Sequence, residues 1–556
     1  MRRTLQAYTE RRMSKTAAEV LIDVLRDEGV THIFGNPGST EMPLMDALVD
    51  APDLTYVLGL QEATAVGMAD GWALASGRCG FVNLHAMGGL GNAMGALVAA
   101  KASGTPLVVT AGQQDTRHLA DEPWLSGDLV ALAHPVMKWA AEARHGADVG
   151  PMLRRAFALA RTPPCGPVFL SLPMDILGEV VSAEAPKRSA PPHLGPSPEA
   201  GALAAALASL KPDEAVVILG DDLPAGVAGD LALFVEAGGY AVLGTQLTSR
   251  TAFPADHPNW AGVLKPDFEI IQARLAGVKA IVLVGGRAFI AYPYRETRPV
   301  PEGVRVFHIA DNAESFGREH PADIALLGDV GATLKHAAAA LAKTANPADV
   351  AESRTRRAAA RAARAKALRL RIEADPADPL SADSAVLAVL DALPADVLLA
   401  NDSAATFGEV QELMSTRPGR YFFARGGVLG CNMPAAVGAA LVHKGPVVCF
   451  VGDGGAMYSP QALWSAAHEK RHVIFVVFNN RRYNVLQNVA RGLGCKNALQ
   501  NRFVGMEVTE PAIDFSALSA SMGVSYAKAD ARETIGEEMR KALAQASPTL
   551  IEIAIR

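Results

Sequence analysis

Short apolar runs alternate with Ala-rich stretches of helical periodicity in three parts of the chain. The first two parts contain the runs HIFG, YVLG, GFVNL and PLVVTAG, and then AVVILG, AVLG, AIVLVGG and VRVFHIA. In the third part, apolar runs at 447–451 and 473–478 flank a helical segment. Runs that are apolar throughout are typical of parallel strands that helices cover on both faces. The pattern therefore predicts an α/β chain with three doubly wound parallel-sheet domains.

Two polar breaks separate these parts. Residues 183–200 are rich in Pro and polar side chains, which is typical of a linker. Residues 343–380 contain the basic run RTRRAAARAARAKALRLRIE followed by DPADP. This run could be a nucleic-acid patch, but its alternation with Ala and its lack of aromatic residues favour a solvated surface helix that ends in a linker. We expect the three domains at residues 13–183, 195–345 and 376–556.

The composition is that of a globular protein from a reducing compartment. The chain has 556 residues, 50% of them hydrophobic, and its net charge of −6 gives no reason to expect a nucleic-acid or membrane partner. The five cysteines are scattered without a CxxC pair, and no apolar run approaches the length of a transmembrane helix. The polar start MRRTLQAYTERR lacks the apolar stretch of a secretory signal. We therefore expect a cytoplasmic protein.

The segment with the clearest chemistry lies between the two runs of the third part. The first run ends in the turn GDGG around Asp453, and the second ends in the pair NN, whose second residue is Asn480. Between them we expect a helix with Ser459 as N-cap and Pro460 as its first residue. Strand, helix and strand in this order place both turns at the carboxyl edge of one parallel sheet. Carboxylate and amide oxygens suit Mg²⁺ and glycine amides suit phosphates, so the segment predicts a diphosphate held through a metal.

An ordinary Gly-Asp-Gly turn is the alternative interpretation of this segment. The full pattern, GDG followed after one helix and one strand by NN, resembles the thiamin diphosphate signature of the pyruvate decarboxylase-like superfamily. That resemblance implies Mg²⁺ ligation by Asp453, Asn480 and the backbone carbonyl of Arg482. It also implies cofactor contacts from Gly427, Leu429, Gly452, Asp453, Gly454, Gly455, Asn480 and Tyr483, with Leu429 as the bulky residue that supports the cofactor's V shape.

Glu62 is the candidate for the carboxylate that thiamin catalysis requires. Such a carboxylate shares a proton with the aminopyrimidine ring, so that the cofactor's own nitrogen can remove the proton from its reactive carbon. In LQEATAVGMADGWA, Glu62 follows a strand and opens an apolar helix, and burial among apolar neighbours would raise its pKa. A helix N-terminal Glu that the helix dipole favours is the alternative.

Longer motifs are similar to those of benzoylformate decarboxylase, a member of this superfamily. They are NPGSTE, LQEATAVGMADGWA, NLHAMGGLGNAMGAL, PLVVTAGQQ, GPVFLSLPMDI, FPADHP, RYFFARGGVLG and ALWSAAHEK. The similarity covers the chain from about residue 14 onward and implies a pyrimidine-binding, a middle and a diphosphate-binding domain. It also implies that Ser39 contacts a substrate carboxylate and that His85 is an active-site histidine. A turn serine and a satisfied core histidine are the alternatives.

Two places depart from the pattern of that decarboxylase. Where it has a second catalytic histidine, this chain reads VLVGGRAFIAYPYRE, and the matching residue is Tyr292. A phenol, with a pKa of about 10, moves protons near neutral pH less readily than an imidazole. We therefore expect Tyr292 to slow protonation and to favour carboligation. The loop expected at 481–489 also differs, which affects the choice of substrate.

The leading hypothesis is a Mg²⁺- and thiamin diphosphate-dependent carbon–carbon lyase. It would decarboxylate a 2-oxo acid, carboligate the resulting enamine with an aldehyde, or do both. The alternatives are an acetolactate synthase-like carboligase, which commonly binds a flavin, a 2-hydroxyacyl-CoA lyase, and a non-catalytic subunit with the same fold. The resemblance further implies a homodimer or homotetramer with active sites at the subunit interface, acting on small-molecule 2-oxo acids and aldehydes.

Overall fold

The chain folds around three sheets of six strands each, and neighbouring strands within each sheet are parallel. Helices cover the sheets, so the predicted α/β class with three parallel sheets is confirmed. The computed structural model describes residues 14–182, 185–190, 193–290, 294, 296–375, 379–403, 407–414, 417–423 and 425–556.

The first sheet is built from residues 14–182 and has the strand order β3-β2-β4-β5-β7-β6. Its elements are β1 (Ser14–Thr16), α1 (Ala17–Asp27), β2 (His32–Gly35), α2 (Met42–Val49), β3 (Thr55–Leu58), α3 (Glu62–Ser76), β4 (Gly80–Leu84), α4 (Ala86–Ala102), β5 (Leu107–Gln113), α5 (Leu129–Ala133), β6 (Ala140–Glu142), α6 (Gly146–Arg161), β7 (Val168–Pro173), α7 (Met174–Gly178) and β8 (Val180–Ser182). Strands β1 and β8 form a separate antiparallel pair. Helix α1 begins at a capping box, in which the Thr16 hydroxyl accepts the Glu19 N–H over 3.2 Å and the Glu19 carboxylate accepts the Thr16 N–H over 2.6 Å.

The second sheet has the strand order β11-β10-β9-β12-β13-β14. Its elements are α8 (Ala200–Ala208), β9 (Ala215–Leu219), α9 (Ala228–Gly238), β10 (Ala241–Thr245), β11 (Trp260–Leu264), α10 (Phe268–Arg274), β12 (Ala280–Val284), β13 (Arg305–Ala310), β14 (Ile324–Leu327) and α11 (Val330–Leu341). The basic run then forms α12 (Pro347–Glu373), of which Ser353 and Ile372 are the buried residues. The predicted surface helix is therefore confirmed.

The third sheet has the strand order β16-β15-β17-β18-β20-β19. Its elements are α13 (Ala382–Ala392), β15 (Leu398–Asp402), α14 (Phe407–Leu413), β16 (Tyr421–Phe423), α15 (Asn432–Ala440), β17 (Val447–Gly452), α16 (Asp453–Ala456), α17 (Gln461–His468), β18 (Val473–Asn479), α18 (Asn484–Gly492), α19 (Phe515–Ser521), β19 (Ser525–Ala529), α20 (Arg532–Gln545) and β20 (Thr549–Ala554). Across all the helices of the described residues, none combines the length and the hydropathy needed to cross a membrane.

The first and third sheets share one apolar core, which includes Trp72 from α3 and Val437 from α15. Helices α3 and α15 pack at backbone contact, since a Cβ atom at Gly71 would lie 1.9 Å from the carbonyl oxygen of Ala435. The second sheet has apolar clusters of its own on its two faces. The first and third sheets therefore form one packed body.

Two local expectations from the sequence are wrong. Ser459 does not cap a helix, because α17 begins two residues later at Gln461 and the Ser459 hydroxyl donates to the carbonyl of Gly430 over 2.6 Å. The segment 481–489 is not wholly a loop, because α18 begins at Asn484. In both cases a contact with a distant part of the chain outweighs the local pattern, since the N–H of Tyr483, before α18, donates to the carbonyl of Met506 over 2.9 Å.

Candidate active site

Three residues singled out in the sequence lie at the carboxyl edge of the first sheet. Ser39 follows β2, Glu62 follows β3 and His85 follows β4, and these strands are neighbours in the order β3-β2-β4. Ligand sites of open parallel sheets form at this edge. The fold therefore brings Ser39, Glu62 and His85 to the same edge of the same sheet.

Two glycines lie between these side chains. A Cβ atom at Gly38, next to Ser39, would lie 2.2 Å from the His85 ring. A Cβ atom at Gly89 would lie 3.3 Å from the Glu62 carboxylate and 3.6 Å from the Cβ atom of His85. Glu62 and His85 thus flank the same turn of α4. A side chain at Gly38 would displace the His85 ring, so the turn before Ser39 is built for glycine.

Glu62 is the first residue of α3, and its side chain is partly exposed. The side-chain amide of Asn92 donates to Oε2 of Glu62 over 3.1 Å. The Gln61 side chain caps the helix by accepting the N–H of Thr64 over 3.1 Å. The sequence predicted a Glu62 immersed among apolar neighbours, whereas the fully buried apolar positions of α3 begin at Ala65. In the single chain, an amide rather than an apolar pocket holds the carboxylate.

Glu41 is a functional candidate that the sequence analysis missed. It is 1% exposed, and its carboxylate lies 2.8 Å from Nδ1 of His85. It also accepts the backbone N–H groups of Gly38 and Gly112, each over 2.8 Å. A carboxylate that accepts a hydrogen bond from Nδ1 orients the imidazole and leaves Nε2 free to bind a ligand or exchange a proton. The available signal was the acidic residue that ends the motif NPGSTE.

The remaining candidates lie at the carboxyl edge of the third sheet. Asp453 follows β17, and Asn480 follows the neighbouring strand β18. Backbone amides of Gly454, Asn480 and Arg481 donate to the Asp453 carboxylate, so the GDGG turn and the NN pair are in direct contact. Asp453 is 4% exposed, and burial raises its pKa above the usual range although these hydrogen bonds offset part of the shift.

The glycines around Asp453 differ in how much space they leave. A Cβ atom at Gly454 would lie 2.5 Å from the ring of Tyr483, so Tyr483 packs directly on this turn. At Gly452 and at Gly427, no atom of the described residues lies within 4 Å of an added Cβ atom. Leu429, two residues after Gly427, is half-buried. Open backbone at Gly452 leaves room for a ligand beside Asp453, and open backbone at Gly427 leaves room beside the loop that carries Leu429.

The donor groups at this edge fit Mg²⁺ and a diphosphate. Burial and backbone hydrogen bonds alone shift the Asp453 pKa, without a cationic side chain of the described residues as a partner. The Asn480 side-chain oxygen accepts the N–H of Arg482 over 3.1 Å and keeps a second lone pair. Together with the Arg482 carbonyl, these oxygens match the few protein ligands that Mg²⁺ takes beside phosphate oxygens. Within the described part of the chain, no group of three or more His, Cys, Asp or Glu side chains could hold a metal, so the proposed site would rely on one carboxylate with amide and carbonyl oxygens.

Tyr292, the remaining catalytic candidate, lies outside the described residues. Its proposed part in proton transfer stays a prediction from the sequence.

Comparisons with known proteins assign the carboxyl edges of the first and third sheets to two domains of one enzyme family. The model of the thiamine pyrophosphate enzyme N-terminal TPP binding domain matches residues 15–133, the central domain matches 203–337, and the C-terminal TPP binding domain matches 406–553. The chain belongs to the thiamine pyrophosphate enzyme family. The matched N-terminal TPP binding domain contains Glu62 and His85, and the matched C-terminal one contains Asp453 and Asn480.

Relatives in the thiamine pyrophosphate enzyme family span nearly the whole chain. The chain is 35% identical over 547 residues to a benzoylformate decarboxylase of Pseudomonas aeruginosa, covering 97% of this chain and 98% of the relative. It is 30% identical over 552 residues to a putative acetolactate synthase large subunit of Mycobacterium tuberculosis, covering 97% and 98%. The solved structure of the Rhodococcus jostii thiamine diphosphate-dependent 4-hydroxybenzoylformate decarboxylase superimposes with a TM-score of 0.84 at 31% identity, covering 98% and 99%. The protein is therefore an enzyme of the thiamin-dependent decarboxylase and synthase type.

Proposed function

We propose that the protein is a Mg²⁺- and thiamin diphosphate-dependent enzyme that decarboxylates a 2-oxo acid, with carboligation to an aldehyde as a second outcome. The observation that carries this proposal is the constellation at the first sheet, where Glu62 and the Glu41-bound His85 flank one turn of α4 beside Ser39. A carboxylate in this arrangement can serve the cofactor, while an imidazole and a hydroxyl beside it can bind the carboxylate of a 2-oxo acid. The named activities of the benzoylformate decarboxylase relatives support the same substrate class.

Each residue has a defined task in this proposal. Bound thiamin diphosphate would supply a carbon nucleophile and an electron sink. Glu62 would hold a proton at the aminopyrimidine ring. Ser39 and Nε2 of His85 would orient the substrate carboxylate, and His85 could also transfer a proton. Asp453, Asn480 and the Arg482 carbonyl would hold Mg²⁺ against the diphosphate.

The proposal includes a homodimer or homotetramer that works in the cytoplasm. Large apolar side chains are exposed in the single chain near the carboxyl edges of the first and third sheets, which supports association between subunits. Trp124, after β5, is 86% exposed, and Tyr458, after α16, is 59% exposed. Exposed apolar groups beside a candidate site mark surfaces that a partner covers.

An acetolactate synthase-like carboligase is the second candidate. It is supported by the Mycobacterium tuberculosis relative and by a cavity of about 640 Å³ between the first and second sheets, which reaches Asp311 and Asp329 at the carboxyl edge of the second sheet. A flavin or another nucleotide would need such a space. A yellow purified protein would favour this candidate, and release of CoA-linked products would favour a hydroxyacyl-CoA lyase.

The Glu62→Gln variant tests the proposal directly. We expect it to fold and to bind thiamin diphosphate, but to exchange the C2 proton of the cofactor about 100-fold more slowly or worse, because the amide cannot hold the shared proton. Nuclear magnetic resonance of deuterium exchange at C2 measures this step without any substrate. The matched control is Glu142→Gln, since Glu142 is bound to Ser171 over 2.8 Å on the edge strand β6.

Fast exchange in Glu62→Gln would rule out the assignment of Glu62. The substrate class needs a second measurement, in which wild-type protein is given a panel of 2-oxo acids and aldehydes and the products are identified by mass. Failure to convert any 2-oxo acid despite full cofactor occupancy would favour a non-catalytic subunit.

A further inference from the structure

Residues 425–430, here called the Leu429 loop, connect β16 to α15 and carry two of the proposed cofactor contacts, Gly427 and Leu429. The far end of the loop is fixed within the third sheet, because the carbonyl of Gly430 accepts the Ser459 hydroxyl over 2.6 Å. The near end is Arg425, whose side chain is 10% exposed. The partners of Arg425 lie in the second sheet.

Asp221 is the main partner of Arg425. It follows β9 and is 1% exposed. The Arg425 guanidinium donates to the Asp221 carbonyl over 2.8 Å, and its Nε lies 3.4 Å from the Asp221 carboxylate. The same carboxylate accepts the N–H and Nε–H of Arg287, over 2.7 Å and 3.1 Å. Asp221 therefore holds the start of the Leu429 loop through its backbone carbonyl and the nearby charge of its carboxylate, while the carboxylate itself hydrogen-bonds a turn of its own sheet.

The Leu429 loop is short and tightly packed, so the position of Arg425 restricts the position of Leu429. A Cβ atom at Gly426 would lie 2.9 Å from Cα of Ala99 in α4, so the loop backbone is pressed against the first sheet's helix. Gly427 has φ +68°, a conformation that other residues rarely adopt. With four residues between Arg425 and Gly430 and both ends bound, the loop has little freedom to move Leu429 independently.

We propose that Asp221 and Arg425 are positioning residues for cofactor binding, in which the second sheet holds the Leu429 loop in the conformation that receives thiamin diphosphate. This inference rests on the proposed function, because it takes Gly427 and Leu429 as cofactor contacts. Arg425 touches neither cofactor nor substrate in this proposal. A guanidinium suits the role, since one terminal nitrogen donates to the Asp221 carbonyl while the delocalised charge lies beside the Asp221 carboxylate.

The test compares thiamin diphosphate affinity in wild type, Arg425→Ala and Arg425→Lys, measured by calorimetry in the presence of Mg²⁺. We expect the dissociation constant of Arg425→Ala to rise about tenfold or more, and that of Arg425→Lys to rise less, because lysine keeps the charge but not the fork. Added guanidinium at millimolar concentration should recover part of the affinity of Arg425→Ala and leave the other proteins unchanged.

Arg364→Met is the matched control. Arg364 on α12 binds Glu412 over 3.3 Å, and Glu412 also accepts the N–H of Val263 over 2.9 Å. This ion pair therefore also lies where the second and third sheets meet, but outside the Leu429 loop. The cofactor affinity of Arg364→Met should equal that of wild type. The unfolding midpoints of the cofactor-free proteins are measured in parallel.

The outcomes separate this inference from the proposed function. A wild-type protein that does not bind thiamin diphosphate would overturn the proposed function itself. Normal wild-type affinity with unchanged affinity in Arg425→Ala and Arg425→Lys would overturn only the role of Arg425. A loss of affinity in Arg425→Ala that guanidinium does not recover would show a general structural role if the unfolding midpoint of the cofactor-free variant also falls. It would overturn the positioning role of Arg425 whether or not that midpoint changes. Should Arg425→Ala not fold, the affinity of Arg425→Lys decides.

Discussion

Asp402 is a buried acid that contacts Gly430, the last residue of the Leu429 loop. It ends β15, is 6% exposed, and accepts the N–H of Asn432 over 3.2 Å. The N–H of Gly430 also donates to it, yet burial raises the pKa of Asp402 to about 7 because these bonds offset only part of the lost hydration. A carboxyl group that titrates near neutral pH therefore lies beside the proposed cofactor site.

This raised pKa predicts how the stability of the cofactor-free protein depends on pH. Between about pH 4 and the Asp402 pKa of about 7 the unfolded state has lost this proton while the folded state retains it. The free energy of unfolding therefore falls through this window as pH rises. Asp402→Asn removes the contribution, so the stability of the variant relative to wild type should increase from pH 5 to about pH 7.5. Urea unfolding at the two pH values measures it.

The exposed Asp50 provides the control for this experiment, as Asp50→Asn should change stability equally at both pH values. An Asp402→Asn difference that is independent of pH would contradict the buried, protonated carboxyl group.

At the scale of elements, the contact between α3 and α15 is reciprocal. A Cβ atom at Gly71 of α3 would lie 1.9 Å from the carbonyl oxygen of Ala435, and one at Gly438 of α15 would lie 1.8 Å from the carbonyl oxygen of Met68. Each helix thus presents a glycine to the backbone of the other. Since backbone carbonyls cannot rotate away as side chains can, an added methyl group must push the helices apart.

We expect Gly71→Ala to lower the free energy of unfolding by about 1–3 kcal/mol or more, the usual cost of overpacking a tight core. Gly229→Ala is the control, since Gly229 lies inside α9 with open space around its Cβ position. That change should be neutral or stabilising by up to about 1 kcal/mol, because alanine favours helix over glycine. Chemical denaturation of both variants measures the difference. Equal stability of the two variants would argue against the close helix contact.

The elements that the sequence predicted well are those with local signals. The apolar runs 447–451 and 473–478 became β17 and β18 with one further residue each. The GDGG turn and the NN pair come directly after predicted strands, and the parallel topology of the sheet brings them together at one edge. Glu41 escaped prediction because its partner His85 is 44 residues away. Ser459 was misjudged for the same kind of reason, since its hydroxyl serves Gly430, 29 residues upstream, rather than its own helix.

For the whole molecule, each edge of the proposed site is bordered by apolar side chains that the single chain leaves exposed. Beside the first sheet, Leu60 is 45% and Trp124 is 86% exposed, and beside the third, Tyr458 is 59% and Leu486 is 50% exposed. Because these apolar side chains are exposed beside the proposed active site, we expect the chain to form a symmetric homo-oligomer that covers them. In that arrangement Glu62 of one subunit would serve the same cofactor as Asp453 of another.

Mixing two inactive variants tests this arrangement. Glu62→Gln and Asp453→Asn should each be inactive alone, the first in cofactor activation and the second in metal binding. If the two residues of one site come from different subunits, a mixed dimer contains one site with both defects and one site with neither. Equal amounts that are unfolded and refolded together should then recover about a quarter of wild-type activity, because about half of the dimers are mixed and each has one intact site. Variants refolded separately and then combined provide the baseline. Co-refolded protein that forms mixed oligomers yet stays at that baseline would mean that Glu62 and Asp453 of the same chain form each site.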